Sequence, residues 1–109
     1  MKLNIYDKRK IVKTYEAKAY DLEFGLLEDV AELAQLDKLK TGSDTEIINL
    51  ALNLVVKSTG TVKELMCDIF DGLTAEELRH VKVKEMGAVI IELLNYTISE
   101  ITNSFTSKN

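Results

Sequence analysis

The amino-acid sequence predicts a mainly α protein: a compact bundle of about five helices with a short N-terminal β-hairpin arm. Three observations carry this prediction. The 109 residues include no proline, the residue that removes a backbone donor and clashes with the preceding helical turn. Apolar residues recur at helical spacing in stretches separated by Gly, Ser and Thr. Only the first fifteen residues read differently, as short runs rich in Ile, Val, Thr and Tyr. A chain of this length is expected to fold as one domain, 1–109, with residues 1–18 as a basic hairpin arm, 22–105 as the helical body and 106–109 as a polar tail.

In the arm, Leu3–Tyr6 and Ile11–Tyr15 flank Asp7-Lys8-Arg9-Lys10. Two β-branched and aromatic runs around a short polar link form a hairpin signal, although the Asn-Gly pair favoured at tight hairpin turns is absent. Positive charge also collects here. Residues 1–20 carry six basic and two acidic groups, against eight basic and sixteen acidic in residues 21–109. Opposite fields on one chain can steer head-to-tail self-association, with Lys8, Arg9 and Lys10 as contact residues. The competing reading is a solvated hairpin without a partner.

The first helix is expected to begin after Asp21 or near Gly25 and to end around Leu36, with Leu26, Val30, Leu33 and Ala34 on one face. Lys38–Ser43 reads as a loop. Ser43 or Asp44 can cap the next helix, and Glu46 stands three residues after Ser43 as in a capping box. This second helix runs to about Ser58, with Gly60 as its stop. A third begins near Thr61 and continues through Phe70 to Gly72. Thr74 and Glu77 repeat the capping pattern for a short fourth helix ending near Val81, and a last helix spans about Val83 to Phe105.

Two of these helices carry more apolar surface than one core-facing side requires. On the last, Met86, Ile90, Ile91, Leu93, Leu94, Ile98, Ile101 and Phe105 share an arc that Val89 and Tyr96 widen to roughly 220°, against the roughly 100° of an ordinary amphipathic helix. On the second, Ile47, Ile48, Leu50, Leu52, Leu54, Val55 and Val56 nearly encircle the axis. Either both helices sit centrally among the others, or part of this surface is open and marks a binding site. Helical geometry assigns Leu52, Val56, Val89, Ile91, Tyr96, Ile98 and Phe105 to such a partner-binding surface.

Chemistry is harder to find. His80 is the only histidine and Cys67 the only cysteine, so one chain offers neither a multi-His metal site nor an internal disulfide. Glu76 and Glu77 are adjacent, and neighbours on a helix point apart, so they read as first-turn charges and a cap. The five glycines form no phosphate-binding pattern. A helix-turn-helix over Thr74–Val89 lacks the basic face that phosphate contacts need. No apolar run approaches the roughly 20 residues of a membrane span, and MKLNIYDKRK is not a secretory signal. The expectation is a cytoplasmic protein-binding protein rather than an enzyme, with no cofactor, metal, nucleic acid or membrane partner.

The segment Ile69-Phe70-Asp71-Gly72-Leu73-Thr74-Ala75-Glu76-Glu77-Leu78-Arg79-His80-Val81-Lys82 resembles the "iFxGLTeEElrrvk" stretch of tail assembly chaperones from long-tailed bacteriophages of Gram-positive hosts. Upstream, the stretch from Tyr20 to Val30 looks like that family's opening "f-G-x-x-E-D" helix, and Lys2–Tyr15 looks like the basic arm of its lactococcal-type members. The likeness covers most of the chain. It implies a partner, the tape measure protein, a long helical polypeptide kept soluble until tail-tube subunits polymerise around it. It further implies self-association into rings or spirals, with the tail-tube protein a further candidate partner, a place in the host cytoplasm and absence from the finished virion. The alternatives are a structural connector or tail-completion subunit and a small DNA-binding regulator.

Overall fold

The computed structural model describes residues 1–38, 40, 41 and 43–106, with Asp37 and residues 101–106 described by backbone alone. The chain begins with β1 (Lys2–Asp7) and β2 (Lys10–Glu16), followed by helices α1 (Phe24–Ala34), α2 (Asp44–Lys57), α3 (Thr59–Ile69), α4 (Ala75–Leu78) and α5 (Val83–Thr106). Single 3-10 turns lie at Ala19–Asp21 and Leu36–Lys38. The fold is thus mainly helical with an N-terminal antiparallel hairpin, as the sequence predicts.

The hairpin closes through Lys8 and Arg9, both at positive φ (58° and 122°). A two-residue turn with this twist usually employs Asn-Gly, because side chains other than Gly, Asn and Asp tolerate that region poorly. Tyr6 pairs with Ile11 but Ile5 with Lys13, so Val12 is an extra residue that bulges β2. Only the tip projects. Leu3, Ile5 and Tyr15 are buried in the core, and β1 packs against α5. The outer edge of β1 is covered: Tyr6 N–H donates to the His80 carbonyl (2.9 Å) and Asn4 N–H to Glu85 (3.2 Å). The Asn4 amide and the Tyr6 hydroxyl also donate to Glu85.

Helix starts follow the caps. Ser43 accepts from Glu46 N–H and Thr74 from Glu77 N–H, each within a reciprocal capping box. Helix ends fall within three residues of expectation but are made differently. α1 stops at Ala34 because Gln35 adopts the left-handed conformation (φ 53°) and returns its N–H to Ala31 and Glu32. The buried face of α1 is Leu27, Val30 and Ala34, with Leu26 and Leu33 only half-buried. Gly60 does not stop α2. The break falls at Ser58, and the Thr59 hydroxyl donates to the Val55 carbonyl (2.9 Å), occupying an acceptor at the helix end. Gly60 lies inside α3 instead. After Leu78, bonds from Arg79, His80 and Val81 back to Glu76, Glu77 and Leu78 extend α4 as a tighter turn.

α5 is the axis of the molecule. It is touched by α1, α2 and β1, and at 24 residues it is about 36 Å long, which explains extents of 50 × 25 × 20 Å. Its Ile90, Leu93 and Leu94 are buried, as is Thr97, whose hydroxyl donates to the Leu93 carbonyl (2.7 Å). Among the described side chains of its apolar arc, α5 thus buries Val89, Ile90, Leu93 and Leu94 among neighbours on several sides and leaves Ile91 half-buried. The same does not hold for α2.

Candidate functional site

α2 buries Ile47, Ala51 and Leu54 against α5 and α3. Ile48, Leu52 and Val56 face outward and are 45, 58 and 74% exposed. Their i, i+4, i+8 spacing aligns them along one stripe about 12 Å long. Beside the stripe, the first turns of α5 present Val83, Gly87 and Ile91 at the same spacing. Val83 is 70% exposed and Ile91 half-buried. Ala51 and Val55 complete the floor, enclosing a shallow groove of about 130 Å³ whose lining is apolar throughout. At Gly87 an added Cβ would meet nothing within 4 Å.

Of the residues assigned to a binding surface by helical geometry, Leu52, Val56 and Ile91 come together in this groove. Val89 does not: it is 3% exposed and belongs to the core, because α5 turns that position toward the body. Tyr96 and Ile98 are half-buried against the core and do not line the groove. The Phe105 side chain lies outside the described residues, as does that of Ile101. Ile48, Val83 and Gly87 complete the site without having been singled out. For Val83 and Gly87 the available signal was their four-residue spacing from Ile91.

The polar features are structural in character. Glu77 caps α4 and also accepts from the Tyr15 hydroxyl (2.6 Å), with Lys13 Nζ 3.4 Å away. The Tyr15 hydrogen bond, followed by those from Thr74 N–H and Lys13, holds its carboxyl below the ordinary value despite burial. Cys67 is half-buried on α3. His80 is exposed, with Nε2 3.9 Å from Glu76. Among the described residues no group of His, Cys, Asp and Glu could hold a metal ion, and no helix is long and apolar enough to cross a membrane.

Two further surfaces stand apart from the groove. Lys8, Arg9 and Lys10 are exposed at the hairpin tip, next to exposed Ile11 and Val12. At the opposite end of the hairpin, a cleft of about 570 Å³ lies between its base, the start of α1 and the end of α3. No family model matches this chain, and no curated protein or solved structure does either.

Proposed function

We propose that this protein is a tail assembly chaperone that holds an amphipathic helix of the phage tape measure protein in the groove between α2 and α5. The observation that carries the reading is the exposed stripe Ile48, Leu52 and Val56, facing Val83, Gly87 and Ile91 across an apolar floor. Such a groove suits client side chains at i, i+3 or i+4 and i+7. The likeness of Ile69–Lys82 and its flanks to the chaperone family supplies the identity of the client.

Magnitudes favour many weak contacts over one strong one. Full burial of a Leu, Ile or Val side chain contributes about 1.5–3 kcal/mol, so covering three partly exposed ones gives several kcal/mol. Association itself costs an estimated 4 kcal/mol or more. A single groove then binds weakly, and retention of a long client requires several copies acting together. Self-association is part of this reading for that reason.

Co-expression with the tape measure protein of the same phage tests the proposal. The wild type should raise the client's soluble fraction and co-purify with it, and the Leu52→Glu, Val56→Glu double variant should do neither. Unchanged client solubility with the wild type, or full activity of the double variant, overturns it. Finding the protein in purified virions by mass spectrometry would favour a permanent structural subunit instead.

A further inference from the structure

We propose that copies of this chain join head to tail, the hairpin tip of one docking in the cleft at the hairpin base of the next. The inference rests on the oligomeric part of the reading above and identifies the contact. The donor surface is unusual for a solvated turn. It combines Lys8, Arg9 and Lys10 with exposed Ile11 and Val12. None of the three cations has an ion-pair partner among the described residues.

The acceptor matches it in both respects. Glu16, Asp21, Glu23, Asp29, Asp68 and Asp71 line the cleft with one cation, Lys18, among them. All of these carboxylates except Glu16, which pairs with Lys2, are likewise without ion-pair partners among the described residues. Between them lie Leu22 and Leu26, half-buried, which offer apolar contact to Ile11 and Val12. Phe24, from the same segment, is exposed and presents an aromatic face suited to Arg and Lys, whereas the Tyr20 ring already carries the chain's own Lys18 Nζ, 5.7 Å from its centroid. Basic rim meets acidic rim, and apolar residues meet an apolar floor.

Geometry makes the contact intermolecular and one-way. Six to seven residues of extended strand separate tip from base by about 20 Å, so a chain cannot reach its own cleft. A reciprocal pair would lay two β2 edges side by side. The Val12 bulge and the repeated Lys13 oppose that arrangement. A contact between two different surfaces propagates, giving a ring if the rotation closes and a helical filament if it does not.

Two charge-reversed proteins test this, one carrying Lys8→Glu, Arg9→Glu and Lys10→Glu, the other Asp21→Lys, Asp68→Lys and Asp71→Lys. All six positions are exposed, and circular dichroism checks that each variant keeps the wild-type helix signal. In sedimentation velocity the wild type should run as assemblies larger than the 12.3 kDa chain. Each variant alone should sediment as a monomer. Their equimolar mixture should recover assembly, because each tip then meets a cleft of opposite sign. A monomeric wild type, variants that assemble alone as the wild type does, or a mixture that stays monomeric overturns the proposal. The Leu52→Glu, Val56→Glu protein keeps both tip and cleft, so it should assemble as the wild type does while failing to hold the client, and that pairing separates failure of the chaperone reading from failure of this contact.

Discussion

At Glu77 one carboxylate caps α4, accepts from Tyr15 and pairs with Lys13, so it ties the hairpin to the helical body. Its folded pKa lies below its unfolded value near 4.5. A group lowered in this way stabilises the fold fully above the unfolded value, and the contribution is lost as pH falls through the folded one. Tyr15 donates the largest of the lowering interactions. Tyr15→Phe should therefore cost about 1 kcal/mol at neutral pH and reduce the stability lost between about pH 6 and about pH 3. Urea denaturation of both proteins at the two pH values measures this. An acid-induced loss equal to the wild type's would show that the hydroxyl is not coupled to Glu77. None of this linkage was legible in the sequence beyond the cap. The cap joins residues three apart, whereas Tyr15 lies 62 residues from Glu77 and Asn4 lies 81 from Glu85. Local chemistry is readable along the chain, and contacts closed by the fold are not.

At the scale of the element, α2 and α5 carry similar apolar surpluses with different fates. α5 has neighbours on several sides and buries Val89, Ile90, Leu93 and Leu94, whereas α2 leaves Ile48, Leu52 and Val56 in solvent. Periodicity revealed the surplus on both helices but could not tell which side a neighbour would cover. That is why Leu52 and Val89 looked alike in the sequence and separate in the fold. The difference has a thermodynamic signature. Leu94→Ala removes a fully buried side chain and should cost about 2–5 kcal/mol. Leu52→Ala should change stability by no more than about 0.5 kcal/mol. Denaturant midpoints of the two variants decide the matter, and a large loss at Leu52 would mean that the stripe serves the monomer's own core. Helix starts were legible at Ser43 and Thr74 for the same local reason as the caps. The ends near Leu36 and Ser58 were placed within two residues, but the means of ending was not legible, because Gln35 and Ser58 rather than a glycine make the breaks.

Across the whole molecule, three surfaces lie apart without overlap: an apolar groove on the α2–α5 side, a cationic tip, and an acidic cleft at the far end of the same hairpin. The uneven distribution of charge along the chain becomes, in three dimensions, a separation of opposite charges along the hairpin. The groove meanwhile contains Gly87, within a helix and with room for a methyl group. Alanine there would strengthen the helix by about 1 kcal/mol, so the native residue forgoes stability to keep a notch in one wall. Gly87→Ala should raise the melting temperature by about 4 °C and lower the amount of tape measure protein held in solution. Thermal denaturation paired with the client solubility assay tests both halves. The variant that resists heat better should be the poorer carrier, and equal carrying capacity would mean that no client backbone comes close enough to use the notch.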